Sequence, residues 1–255
     1  MKKVFLISSA VIMLLTLLCN SSCKKDNDTP DEPVLTGDSV LYRVKKNNVI
    51  ISEYTYNTDL TVKAITHNDD AGNFSASAAF EYSPAAHLVK INNVYSNTAF
   101  NSYDNCSYNS ENLLSYIVTF CGSVQDHTQT LQYDNQGRLI HYYLGYGGGY
   151  FGTNYIYGSN TNVMKEYDSG DLVCDTTYYT YDNKKNIIVR GLPRMDPDFL
   201  SANNVTQQLH KDQSGTPKPT DSYNSVFEYN SNGLPTKETR TYLNSTVDVY
   251  EFIYY

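Results

Sequence analysis

Cys23 is the residue whose surroundings most directly prescribe a reaction. Lys2 and Lys3 make a positive start, Val4 to Leu18 an apolar run, and Ser21 and Ser22 put small side chains before the thiol. The run is short of the ~20 residues a spanning helix needs and has the layout of an export signal. A signal peptidase that prepares a cysteine for acylation requires a small residue before it. Ser22 supplies one, whereas Cys19 follows the bulky Leu18. The expected chemistry is cleavage after Ser22, with residues 1–22 as leader, and lipidation of Cys23. Asn20 stands where such signals usually carry Leu, Val or Ile, so ordinary secretory cleavage near Ser22 is the alternative.

Other reactive residue types are sparse. Cys106, Cys121 and Cys174 remain in the mature chain, an odd number with no Cys-x-x-Cys spacing. A zinc ribbon or thioredoxin-type site is thereby excluded. Cys106 and Cys121 can pair only if strand register sets them opposite; otherwise they are small buried apolar groups. His67, His87, His127, His141 and His210 are dispersed, and the acidic residues fall mainly in turns and near the start. No metal site, cofactor site or catalytic carboxylate pair is expected. The chain carries no His-Glu-x-x-His, no Gly-x-Ser-x-Gly and no phosphate-binding loop. Gly145-Tyr-Gly-Gly-Gly149 lacks the spacing of a dinucleotide site and reads as a loop tip. Tyr146, Tyr150 and Phe151 would present flat aromatic faces there to a sugar or peptide.

The secondary structure that carries these groups announces itself by a repeat. Paired aromatic or apolar residues end at Tyr56, Tyr82, Tyr108, Tyr133, Tyr157, Tyr181, Tyr229 and Tyr254. Successive spacings are 26, 26, 25, 24, 24, 48 and 25, so a degenerate slot is expected near Val205. Such a period marks a repeated supersecondary unit. Within each unit, apolar and polar side chains alternate, as in Tyr250, Phe252 and Tyr254, which places the apolar ones on one strand face. Turn residues follow: Gly137, Gly233, Asn112, Asn162 and Asn186 stand where a tight hairpin loop with a bulge needs a left-handed residue. The unit is a hairpin. The prediction is an all-β, up-and-down antiparallel meander of roughly fourteen to sixteen strands, strongly curved and either open or barrel-like. Twenty-five tyrosines and no tryptophan suit a half-wet interior, because a buried tyrosine still needs a partner for its hydroxyl.

Residues 23–38 are polar and Pro-containing and read as an acylated, disordered tether; residues 39–255 read as one repetitive domain. An irregular insertion is expected at 191–204, where Pro193 and Pro197 forbid central strand pairing and Asp196-Pro197 could open a short helix. The formal charge is −8, and −10 without Lys2 and Lys3, which argues against nucleic acid and against electrostatic adhesion to anionic headgroups.

Two resemblances add to these readings. Tyr133-Asp134-Asn135-Gln136-Gly137-Arg138-Leu139 resembles the tyrosine-aspartate repeat of Rhs-type proteins; in the other units Gly158 and Ser83 replace the Asp. Rhs shells need far longer chains to enclose a toxin, so that function does not carry over. Cys23-Lys24-Lys25-Asp26-Asn27-Asp28 resembles the surface-export tag of Bacteroidota lipoproteins. The whole chain, with its tyrosine-marked hairpins and Leu200-Ser-Ala-Asn-Asn204, is similar to a family of gut Bacteroidota lipoproteins of unassigned activity with a porin-like fold. That resemblance implies an outer-membrane, lipid-anchored, outward-facing protein. The function expected is a non-catalytic binding module for a glycan, a peptide or an envelope protein. A membrane-integral barrel and an envelope polysaccharide-processing enzyme are the alternatives. Ligand identity and oligomeric state leave no mark in the sequence.

Overall fold

A computed structural model of the protein describes residues 40–68, 75–147, 149–159, 162–170, 175–186 and 200–255. The leader, Cys23, the tether, Cys174 and residues 191–199 of the expected insertion lie outside them. The alternating segments fold as sixteen strands. The first eight are β1 (Leu41–Lys46), β2 (Val49–Tyr56), β3 (Val62–Asn68), β4 (Ser75–Tyr82), β5 (Leu88–Tyr95), β6 (Ser102–Tyr108), β7 (Leu114–Cys121) and β8 (Val124–Tyr133). The rest are β9 (Leu139–Tyr146), β10 (Gly149–Tyr157), β11 (Val163–Gly170), β12 (Thr176–Lys185), β13 (Asn203–Lys211), β14 (Tyr223–Tyr229), β15 (Pro235–Tyr242) and β16 (Val247–Tyr254). Each pairs antiparallel with its sequence neighbours, and β1 pairs with β16, so the meander closes into a barrel. Closure removes both sheet edges, which otherwise present unpaired N–H and C=O groups. At the seam Val44 faces Phe252 and Lys46 faces Tyr250, the Tyr255 N–H donates to the Val40 carbonyl (3.0 Å), and Lys46 pairs with Asp248 (3.1 Å).

One loop chemistry recurs at one end of the barrel. The Asp134 N–H donates to the Arg138 carbonyl (2.9 Å) and the Gly137 N–H to the Asp134 carbonyl (3.0 Å), while Asp134 Oδ1 accepts from the N–H groups of Gln136 and Arg138. Asn109 and Asn230 organise their loops in the same way. The fourth loop residue is left-handed: Gly137, Gly233 and Asn112 as expected, and also Leu60 (φ 66°) and Ala86 (φ 59°). Asn162 and Asn186 do not take that role. Their buried side chains instead hold the chain returning from residue 200: Asn162 Oδ1 accepts from the Ala202 N–H (2.9 Å), and Asn186 Nδ2 donates to the Ser201 carbonyl (3.1 Å).

Immediately beyond each loop the register shifts by one residue. Tyr133 faces Leu139 but Gln132 faces His141, which leaves Ile140 as a bulge. The same shift falls beside Tyr56, Tyr82, Tyr108, Tyr157, Tyr181 and Tyr229, and between Leu41 and Arg43 at the seam. A bulge adds twist and bend, and repeating it round the sheet favours closure. It also moves inward residues on the odd strands from two apart to three apart: Val62 and Ile65, Leu88 and Ile91, Leu114 and Ile117, Leu139 and Tyr142. Val205 belongs to this series. It faces Tyr181 from β13, so it is the aliphatic partner of a tyrosine and not a ninth tyrosine slot. The doubled spacing arises because the connections on either side of β13 are long.

The marker tyrosines point inward and their hydroxyls explain their recurrence. Six donate to the carbonyl of the residue that opens the preceding odd strand. Tyr56 donates to Leu41 (2.6 Å), Tyr108 to Leu88 (3.0 Å), Tyr133 to Leu114 (2.6 Å), Tyr157 to Leu139 (2.9 Å), Tyr181 to Val163 (2.6 Å) and Tyr254 to Pro235 (2.7 Å). Two depart from the pattern: Tyr229 donates to Asp182, and the buried Tyr82 hydroxyl has no partner. Burial pushes the Tyr133 and Tyr157 hydroxyls up to about 12.

The inward faces form the core. Its largest cluster joins Ile117, Leu131, Leu139, Tyr142, Tyr155 and Val163, with Leu200 packed against it. Farther from the tyrosine end the interior becomes polar and stays buried. Asp104, 2% exposed, accepts from Thr119 (2.6 Å) and Asn93 (2.9 Å), and Tyr179 donates to Glu166 (2.6 Å). Cys106 and Cys121 also face inward but stand opposite Ile117 and Ser102, and both are free thiols. Four residues of strand register separate them, ~13 Å, where a disulfide needs Cα atoms ~4.4–6.8 Å apart.

Candidate binding surface

The hairpin of β9 and β10 divides the three aromatics predicted to share one tip. Tyr146 faces Gly149 and Leu144 faces Phe151, so Tyr146 and Phe151 lie on the inward side. Tyr150 faces Gly145 on the outward side and is 54% exposed. There it meets Tyr143 edge-on, with ring centroids 6.3 Å apart, and Tyr143 stacks on His141 at 5.8 Å. The trio is not one surface; Tyr150 belongs to another.

That surface is the outer wall of β9 to β13. Strand pairing sets His141 beside Asn154, Asn154 beside Tyr167, Tyr167 beside Thr176 and Thr176 beside Lys211. One row away Ile156, Lys165 and Tyr178 follow in order across β10, β11 and β12. Gly152 lies opposite Tyr143 and Gly145 opposite Tyr150, so each of these rings has a bare backbone beside it. A Cβ at Gly145 would stand 3.2 Å from Thr128 Oγ1, a tight fit that keeps this part of the wall flat. Lys165 Nζ lies 5.7 Å from the Tyr167 centroid and 5.5 Å from that of Tyr178, and Lys211 Nζ lies 5.4 Å from Tyr178. Tyr178 is 41% exposed, and His141 Nδ1 is buried without a partner. The exposed rings of Tyr150 and Tyr178 and the two ammonium groups make a recognition surface, while Asn154, 7% exposed, donates to the Tyr167 carbonyl and belongs to the wall itself.

The interior holds two arrangements that resemble catalytic ones. His210 sits between Thr177 Oγ1 (2.8 Å from Nδ1) and Asp175 Oδ2 (3.3 Å from Nε2), with Lys218 also on Asp175. Ser52 Oγ lies 2.6 Å from His67 Nδ1. Hydroxyl, imidazole and carboxylate in a line are the parts of an acyl-transfer triad. Here Thr177 is 3% and Ser52 4% exposed, so neither hydroxyl can meet a substrate, and both groups serve as ties between inward faces. Among the described residues no three His, Cys, Asp or Glu converge on a metal-sized site. The thiol of Cys106 is pushed up to about 12 by burial, which makes it inert.

Sequence reasoning reached Tyr150 and missed His141, Tyr143, Lys165, Tyr167, Tyr178 and Lys211. Their outward side follows from the alternation only after the bulges are counted, since one extra residue per unit reverses the faces.

No protein-family model matches the chain, and no curated protein matches its sequence. Among solved structures, a porin-like protein from Bacteroides uniformis ATCC 8492 is similar over 80% of this chain and 90% of its own, at 11% identity and a TM-score of 0.56. A porin-like protein from Bacteroides vulgatus ATCC 8482 aligns with 85% of this chain and 99% of its own, at 9% identity and a TM-score of 0.43. A TcdB2–TccC3–Cdc42 complex aligns with 79% of this chain and 12% of that chain, at 11% identity and a TM-score of 0.31. The first of these is a likeness of fold: a porin-like β-barrel.

Proposed function

We propose that this protein is a lipid-anchored envelope barrel that faces water on its outside, conducts nothing through its inside, and acts as a non-catalytic binding module. One observation carries the reading: the inward faces are the buried ones, and the outward faces carry solvent-exposed ion pairs. A pore lined by water would leave its inward side chains accessible, yet Val62, Ile117, Leu139 and Val163 are fully buried. A lipid-facing wall would be apolar, with each Lys or Arg near the midplane costing ~2–4 kcal/mol. This wall instead carries ion pairs: Arg43 with Glu53, Lys45 with Glu251 (3.3 Å), Lys90 with Glu81 (4.0 Å) and Lys237 with Glu228 (2.9 Å). Twelve of the sixteen strands have eight residues or fewer, short of the ~9–11 of a membrane-spanning strand. Attachment then falls to the acylated Cys23, and the Lys-Asp tag after it favours the outer leaflet. The absence of the usual hydrolase and nucleotide motifs supports a binding role, and the aromatic wall of β9 to β13 supplies the surface.

The porin-like neighbour favours a second reading, a barrel set in the outer membrane itself. Two measurements separate them. Protease added to intact cells should remove the wild-type protein, and its survival until the outer membrane is opened would reject outward exposure. In gels run with and without heating, a membrane barrel changes mobility while remaining dependent on detergent. We expect a protein that stays in aqueous solution without detergent once its lipids are absent.

A further inference from the structure

We infer that the outer wall of β9 to β13 binds an acidic polysaccharide, a chain of hexuronate units. Sugar faces would stack on Tyr143, Tyr150 and Tyr178, and carboxylates would meet Lys165 and Lys211. The inference rests on the binding-module reading and supplies its ligand class. Two observations carry it. Tyr150 and Tyr178 are exposed and Tyr143 is half-buried, and Gly145 and Gly152 opposite Tyr150 and Tyr143 leave that part of the wall flat, which suits a sugar's C–H face better than a bulky side chain of a protein partner. Lys165 and Lys211 lean on Tyr178 and join no ion pair among the described residues, unlike Arg43, Lys45, Lys90 and Lys237, each of which has a carboxylate beside it. On a chain of net charge −8 this is a local anion-attracting spot on an otherwise acid-leaning surface.

The surface spans four strand-to-strand steps, ~19 Å at ~4.8 Å each, the length of a short oligosaccharide laid round the barrel. The rings give contact area that tolerates a repeating polymer, and the ammonium groups select the acidic one by charge-assisted hydrogen bonds.

The test is retardation of the purified protein in native gels cast with polygalacturonate, beside gels cast with neutral galactan. The expected result is retardation by polygalacturonate alone, relieved by salt. Changing Lys165→Gln and Lys211→Gln together should weaken it by at least about tenfold, because two charge-assisted bonds are removed. Lys165→Arg with Lys211→Arg should restore it, and Tyr150→Ala with Tyr178→Ala should abolish it. All these side chains point outward, so melting temperatures should stay at the wild-type value. No retardation by polygalacturonate, or retardation that the Gln pair leaves unchanged, overturns the inference. Equal retardation by galactan, lost with the tyrosines and kept by the Gln pair, also overturns it, while the binding-module reading stands. That reading falls separately, on dependence upon detergent.

Discussion

At Tyr133 the ring fills the barrel interior and the hydroxyl, 2.6 Å from the Leu114 carbonyl, pins one unit to the one before it. A phenylalanine would fill the same space and leave that carbonyl unpaired, at a cost of ~1–3 kcal/mol. This is why tyrosine marks the repeat. The same burial has a pH consequence. Tyr133 and Tyr157 ionise near 12 in the folded barrel because burial penalises the phenolate, against 10.0 when unburied. A group whose folded value is raised stabilises fully below its unfolded value and loses that contribution as pH rises through the folded one. Stability should therefore hold up to about pH 10 and fall steeply between 10 and 12. Exposed tyrosines such as Tyr150 ionise without unfolding, but the phenolate absorbance of the buried ones should rise only together with loss of β-sheet circular dichroism. Ionisation of every tyrosine near pH 10 with the sheet intact would contradict the buried ring of tyrosines.

The hairpin with its bulge is the element that builds the barrel. Its tyrosine and its turn were legible in the sequence, because Tyr133-Asp134-Asn135-Gln136-Gly137 states both the anchor and the left-handed position directly. The place of its bulge was not. Ile140, Val89 and Ser115 are ordinary strand residues, and the extra residue shows only in pairing across strands. That gap left the outward tyrosines unassigned, whereas the slot misplaced at Val205 follows from the long connections on either side of β13, and Asn162 and Asn186 hold the returning chain with their side chains instead of turning it. Leu60 shows how strongly the unit imposes its geometry: it holds φ at 66°, where a β-carbon costs ~1–2 kcal/mol. Leu60→Gly should therefore stabilise the protein by about 0.5–1 kcal/mol after the added freedom of the unfolded chain is deducted. Chemical denaturation measures it, and a loss of stability would show that the Leu60 side chain contributes more by contact than it costs in strain.

For the whole molecule, barrel closure and membrane insertion are separate matters. Sixteen strands close into a barrel of porin-like fold, but burial runs opposite to that of a water-filled pore: Val62, Ile117, Leu139 and Val163 are buried inside, and the outward wall carries ion pairs such as Lys45 with Glu251 and Lys237 with Glu228. The sequence announced many curved strands, and it left closure open because a seam such as Val44 against Phe252 links residues some two hundred positions apart. The most direct test is fractionation of cells carrying Cys23→Ala. The account predicts that the wild type stays with the membrane, while the variant is recovered in aqueous buffer without detergent, folded and rich in β-structure. A Cys23→Ala protein that remains in the membrane and is released only by detergent would mean that the barrel wall itself is embedded in lipid, and the account would be wrong.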